Sequence, residues 1–193
     1  EKLGREIKDW SDLWSEDLKG KIAIPDITTT GGPLFLSIAA DKGGKALKDD
    51  KGEAAFKALE ELKPNIVKTY SKSSDLANMF QAGEVTVAVV VDFAIPTVKK
   101  ANSNVVSVVP ESGTYANYNT VNIVKNAKNK ENAYKYVNFR IGTENQTVKA
   151  KSLSEAPVNK DVKLADNEVK TMTYGDVAKR AKTVDFKLVN ENL

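Results

Sequence analysis

The stretch that most constrains this chain is Val85-Thr86-Val87-Ala88-Val89-Val90-Val91, the longest apolar run in the sequence, set between Gly83-Glu84 and Asp92. It falls far short of the roughly 20 apolar residues a membrane helix needs. A run this short, this β-branched and this uniformly apolar predicts a strand buried on both faces of a parallel or mixed sheet. Such a sheet must be covered by helices, and the flanking sequence supplies them.

Trp10-Ser11-Asp12-Leu13-Trp14 reads as a short helix with Ser11 as its N-cap and Trp10 stapling the turn from outside. Ile22-Ala23-Ile24 predicts a strand that stops at Pro25-Asp26. Pro33 suits the first position of a helix running from Leu34 to Lys42, ended by Gly43-Gly44. A second helix is expected from about Gly52 to Leu62, with Ala55, Leu59 and Leu62 on one face and Phe56 beside them. Ile66 to Tyr70 predicts a strand. Ser73 or Ser74 should cap a helix over Asp75 to Ala82, with Gly83 in the left-handed terminating position. Beyond the apolar run come a short helix from Ile95 to Ala101, a strand from Val105 to Val109, a turn at Pro110-Glu111-Ser112-Gly113, and an extended stretch from Tyr115 to Val124. Asn129 should cap a helix from Lys130 to about Ile141 with Ala133, Tyr136, Val137 and Ile141 facing inward. A helix around Glu144 to Leu153 and a last one from about Tyr174 to Ala181 complete the pattern. The alternation of strands and helices predicts an α/β fold with helices around a mixed sheet.

Composition narrows the chemistry. The 193 residues contain no histidine and no cysteine. Histidine-based triads, thiol nucleophiles, disulfides and zinc sites built on histidine or cysteine are excluded within this chain. No cofactor and no metal site is expected. With 29 basic and 26 acidic residues the net charge is +3, and no basic aromatic stripe points to nucleic acid. Glu1-Lys2-Leu3-Gly4 is not a charged start leading into an apolar core, so no signal peptide is read there, and the lack of an initiator methionine favours a processed or partial chain.

Three segments carry candidate binding chemistry. Thr28, Thr29, Thr30 and Gly31 lie between a strand and a helix, where ligands settle in open α/β sheets. The helix start offers free N–H groups, the hydroxyls add donors and acceptors, and the glycines let a ligand approach the backbone. The alternative is a capped connecting loop without a ligand. Asp92 ends the apolar strand and either faces a ligand crevice or caps the helix after it. If it faces a ligand, a cationic amine is its natural partner, because a desolvated carboxylate needs a compensating charge. In the third segment, alternation puts Tyr115, Asn117 and Asn119 on one face of an extended stretch and Tyr118 on the other. That face grips a polar solute, or it simply meets water. Tyr174, near the final helix start, is a ligand contact or a packing residue. The acid pairs Asp49-Asp50 and Glu60-Glu61 read as solvated faces.

Several phrases together resemble one family. Trp10 to Trp14 followed by Leu18-Lys19-Gly20-Lys21-Ile22-Ala23-Ile24-Pro25-Asp26 resembles the start of the second lobe in extracellular solute-binding proteins of the polyamine, iron and phosphonate transport group. Asp75-Leu76 through Phe80-Gln81-Ala82-Gly83-Glu84, Asn126 to Tyr134, and Glu155-Ala156-Pro157-Val158-Asn159 resemble it too. The resemblance implies a type II periplasmic-binding-protein-like fold of two lobes closing on a solute by a hinge. It implies lobe two over 1–116, a crossing strand and lobe-one segment over 117–157, and a return to lobe two over 158–193. Lobe one would then be incomplete in this chain, and its core surface would need a partner or self-association to cover it.

The implied activity is capture without catalysis, followed by docking on an ABC transporter permease in the membrane. The implied location is extracytoplasmic, in the periplasm or on the surface as a lipoprotein. Polyamine binders of the group hold ammonium groups with aromatics and carboxylates. Here Val91 stands where they carry a cleft tryptophan, and Asn117 and Asn119 where they carry a tryptophan and an aspartate. Iron binders carry adjacent tyrosines where this chain has Asp92-Phe93. A threonine–glycine loop with one acid suits a small, polar, amine-bearing solute, polyamine-like or a monoamine, with a zwitterion such as an aminophosphonate, or an anion, as the alternative. The rival classes are an enzyme of the same lobe architecture and an adhesion module.

Overall fold

The computed structural model describes residues 3–170 and 172–192. Its first sheet is built from β1 (Ile22–Pro25), β2 (Ile66–Tyr70) and β3 (Val87–Ala88), in the order β2-β1-β3 with both pairings parallel. Between β1 and β2 run α1 (Gly31–Gly43), α2 (Leu47–Asp50) and α3 (Glu53–Leu62). Between β2 and β3 lies α4 (Ser73–Ala82), and α5 (Ile95–Ala101) follows. These crossovers are what parallel neighbours require. A second, two-stranded sheet pairs β4 (Thr114–Ala116) with β5 (Ala181–Thr183), again parallel. Between them come α6 (Lys130–Ile141), α7 (Thr143–Leu153), α8 (Asp166–Val169) and α9 (Gly175–Lys179), and α10 (Phe186–Asn192) closes the chain.

Three apolar clusters hold the first part together. Leu13, Leu18, Ile22, Phe35, Ile38, Leu62 and Val89 form one, with Trp10, Trp14 and Tyr115 packed against it. Leu76, Met79, Phe80, Val85 and Val98 pack with Ala23 and Tyr70 in the second. In the third, Leu36, Ala39, Ala40, Ala55 and Ala58 meet Val189, so α10 returns to lie on the α1 and α3 layer. Polar groups in these cores are matched. The Asn65 amide donates to the carbonyls of Leu13 and Ser15, and the Tyr70 hydroxyl donates to the Val89 carbonyl at 2.7 Å.

Several local expectations are corrected. The cap of the short helix over Trp10–Trp14 is Asp9, not Ser11: Asp9 and Asp12 form a reciprocal capping box, and the helix is 3-10 in character. Lys72, with no side-chain bond, precedes α4, which begins at Ser73 itself. α1 starts at Gly31, two residues ahead of Pro33, so both glycines lie in its first turn. Within the apolar run only Val87–Ala88 forms ladder pairs, and only Val85 and Val89 are buried. The reason is position: β3 is an edge strand, and the Val89 carbonyl is taken by the Tyr70 hydroxyl.

No strand forms over Val105 to Val109, where Val106 is 81% exposed. Phe56, placed beside the buried face of α3, is exposed. The α6 face expected to point inward is covered only in part: Ala133 and Val137 are half-buried, while Tyr136 and Ile141 are exposed and no residue of α6 is fully buried. The last expected helix ends at Lys179, because Ala181–Thr183 is drawn into β5 by pairing with β4.

Candidate functional site

A cavity of about 770 Å³ opens where the end of β3, the start of α1, the β4 segment and the loop after α7 converge. That volume suits a small solute. Thr30, Gly31, Asp92, Tyr115, Asn117, Asn119 and Tyr174 all line it. Thr28 and Thr29 line a neighbouring depression of about 440 Å³ instead, together with Tyr70, Ser71 and Ser73. Thr30 and Gly31 belong to both walls.

The threonine loop is largely occupied with itself. The Thr28 amide and hydroxyl both donate to Asp26 Oδ1, at 3.0 and 2.6 Å, and this holds the Asp26 carboxyl below its ordinary value. The Thr29 hydroxyl donates to the Asp26 carbonyl at 2.7 Å. The glycines serve close packing. A Cβ on Gly31 would lie 3.0 Å from Pro25 and 3.4 Å from Val91, and one on Gly32 would sit 2.4 Å from the Ile27 Cα. Their lack of side chains seats α1 against the end of β1, which accounts for them without a ligand.

Asp92 is in a different position. Its Oδ1 accepts the Phe93 N–H at 2.9 Å, so it helps to start the short 3-10 turn over Asp92–Ala94. Burial nevertheless drives its carboxyl above the ordinary value, against the pull of the Phe93 and Thr173 backbone, and the charge of Glu155 pushes the same way. No cation pairs with Asp92 among the described residues. A partly desolvated acid facing a hollow is a receptor for a positive group.

The Tyr115 hydroxyl donates to Asp41 Oδ2 at 2.9 Å, the Lys182 ammonium reaches the same oxygen at 2.9 Å, and Lys182 lies 5.6 Å from the Tyr115 ring centre. Burial and the Asp41 carboxylate raise the Tyr115 phenol well above its usual range. Tyr115 thus offers the cavity its ring and not its hydroxyl. The Tyr174 hydroxyl donates to the Val162 carbonyl at 3.3 Å. Asn117 and Asn119 are exposed on the rim.

Sequence reasoning passed over Trp10, Arg140, Lys149, Glu155 and Lys160, all of which line the cavity. Trp10 donates its indole N–H to the Gly113 carbonyl at 2.8 Å, which joins the start of the chain to β4. Lys149 and Glu155 form an ion pair in the wall. Arg140 has no carboxylate partner among the described residues. These charges lie on or beside polar helices, where spacing gives no sign that they face a hollow. Among the described residues no group of three or more aspartates and glutamates is placed to hold a metal ion. No helix among them is long and apolar enough to cross a membrane.

Against known proteins, the chain is 27% identical over 135 residues to the spermidine/putrescine-binding periplasmic protein of Escherichia coli, covering 70% of this chain and 38% of that protein. A crystal structure of an ABC transporter from Clostridium perfringens superimposes with a TM-score of 0.87 at 58% identity, over 98% of this chain and 60% of that one. The spermidine/putrescine ABC transporter substrate-binding protein of Streptococcus pneumoniae gives a TM-score of 0.74 at 22% identity, over 97% and 60%, a likeness of fold. This chain therefore spans well under half of the Escherichia coli relative and about three fifths of the solved ones. The family model of the bacterial extracellular solute-binding proteins matches residues 1–174, and the chain belongs to that family.

Proposed function

We propose that this chain is a large piece of the substrate-binding component of an ABC importer, working outside the cytoplasm and delivering a small solute to a membrane permease. The lobe assignment goes with it: 1–116 as lobe two, 117–157 as crossing strand and lobe-one segment, 158–193 as the return. Val189 packing among Leu36, Ala39 and Ala55 supports the return of the tail to the first layer. The part is binding and not turnover. With no histidine or cysteine in the chain, the cavity offers carboxylates, amides, hydroxyls and ammonium groups, which suit recognition.

The solute bears an amine. The observation that carries this reading is Asp92: a partly buried carboxylate with no cationic partner among the described residues, on the wall of a solute-sized cavity. An ammonium group there regains the charge balance that burial removed. The names of the curated relatives favour a polyamine. A specific observation favours the second reading, a zwitterion: Arg140, without a carboxylate partner among the described residues and on the same wall, suits an acidic group at the other end of the solute. Binding shifts the two-lobed protein toward its closed form.

Titration calorimetry of the full-length protein with putrescine, spermidine and an aminoalkylphosphonate tests this. Heat from an amine, lost in Asp92→Asn, is the expected result. Equal binding of an amine-free anion by wild type and Asp92→Asn would overturn it.

A further inference from the structure

The cavity holds two carboxylates, and they are treated differently. Among the described residues Asp92 has only backbone partners. Glu155, on the same wall, is held by the Lys149 ammonium. The local chain is shaped to make that pair. α7 carries Lys149 and ends at Leu153, and Ser154 then takes a left-handed conformation with φ of 54°. For a residue other than glycine this is a costly turn. It brings Glu155 back beside the helix that bears Lys149. The pair is also sheltered, with side-chain exposures of 18% for Lys149 and 29% for Glu155, unlike the exposed Lys135–Glu131 and Lys179–Asp176 pairs. Glu155 is close enough to Asp92 for its charge to oppose ionisation there.

We propose that Lys149 sets the charge selectivity of the cleft: its ammonium occupies the second acid, Glu155, so that one carboxylate stays open and a solute with one ammonium is taken in preference to a diamine. Lys149 stands as a tethered amine in the place a diamine's second ammonium would seek. A diamine anchored on Asp92 meets a like charge there, whereas a solute with one ammonium does not. This rests on the reading that Asp92 receives an ammonium group, and it sides with the one-ammonium solute of that reading against the polyamine.

The test is calorimetry on the full-length protein with putrescine and 4-aminobutanol, which match in length and differ by one charge. Wild type is compared with Lys149→Met, with Lys149→Gln in case the first variant fails to fold, with Lys149→Met/Glu155→Gln, and with Asp92→Asn. The expected result is a rise on the order of tenfold in the preference for putrescine over 4-aminobutanol when Lys149 is removed. That rise should vanish when Glu155 is neutralised as well. An unchanged preference in both Lys149 variants overturns the proposal while leaving the Asp92 reading intact. Unchanged binding of both amines in Asp92→Asn overturns the Asp92 reading itself, and the proposal with it. No putrescine binding in either Lys149 variant also overturns it.

Discussion

The region before residue 105 and the region from 105 to 158 use similar apolar residues to opposite ends. In the first, leucines, valines and phenylalanines gather in three clusters around a parallel sheet, and Leu18, Ile22, Leu62 and Leu76 are wholly removed from water. In the second, Val106, Tyr118, Val124, Tyr134, Tyr136, Phe139, Val148 and Val158 all stand exposed, and only Pro110, Gly113, Ala116 and Ala150 are buried. Both regions form well-defined helices. The difference teaches that a helix needs only local signals, whereas burial needs a facing surface. The cavity lies between these two kinds of structure, with Asp92 on the packed side and Glu155 on the open one.

The largest effects should separate the two regions most sharply. Leu62→Ala or Leu76→Ala is expected to cost about 2–5 kcal/mol, because each leaves a hole in a closed core. Phe139→Ala, at a residue 59% exposed, should change stability by about 0.5 kcal/mol or less. Urea unfolding of the same protein reads both. A cost above about 2 kcal/mol for Phe139→Ala would mean that the α6 face is covered in solution, and the contrast would collapse.

Glycines give the next contrast. A Cβ on Gly32 would lie 2.4 Å from the Ile27 Cα and 2.5 Å from the Asp26 carbonyl oxygen, backbone atoms that cannot swing aside. Gly32→Ala should cost about 1–3 kcal/mol. At Gly142, between α6 and α7, the nearest atoms are 3.2 and 3.3 Å away and φ is −67°, so Gly142→Ala should stay within about 0.5 kcal/mol. Thermal unfolding ranks the two, and equal losses would contradict the packing described for α1.

How far the sequence could reveal these features follows the same division. The strand over Ile66–Tyr70 and the helices over Ile95–Ala101 and Lys130–Ile141 were readable at their observed ends. Their signals are local: Pro64 before the strand, Pro96 in the first turn, and Asn129 accepting the Asn132 N–H. β5 was not readable, because it exists through β4, far back in the chain. The inward face of α6 was readable at Ala133 and Val137 but not at Tyr136 and Ile141, because periodicity marks an apolar side without saying how far it is covered. In the cavity, Asp92 could be singled out because an acid at the end of an apolar strand is conspicuous. Lys149 and Arg140 could not, because a charge on a polar helix looks like any solvated face.

Ionisation gives a smaller effect with opposite signs at two acids. Burial raises the Asp92 carboxyl, so the folded chain keeps that proton where the unfolded chain has released it. This group costs nothing below its ordinary value of 3.8, and the cost grows as pH climbs toward the raised folded value, then levels. Asp12 is lowered, chiefly by the Lys8 and Asp9 amides. It stabilises above 3.8, and that contribution is lost as pH falls through its folded value. Asp92→Asn should remove the decline on raising pH, and Asp12→Asn should remove the loss on acidification. Stability measured from about pH 2 to about pH 7, on both sides of the ordinary carboxylate range, decides it; slopes of the same sign would refute one assignment.

The smallest effect concerns the clasp that ties β4 and β5 to the first region. Tyr115 on β4 and Lys182 on β5 both reach Asp41 near the end of α1, at 2.9 Å each. The Lys182–Asp41 pair is about half exposed, so water screens it, and Tyr115→Phe should cost about 1 kcal/mol or less. Its consequence should be larger for the cavity than for stability, because the Tyr115 ring forms part of the wall and the hydroxyl fixes its direction. A double-mutant cycle with Asp41→Asn isolates the bond: Tyr115→Phe should cost clearly less once Asp41 is gone. Full additivity would show that the hydroxyl does not couple the two regions, and the cavity would then owe its shape to Trp10 and Gly113 instead.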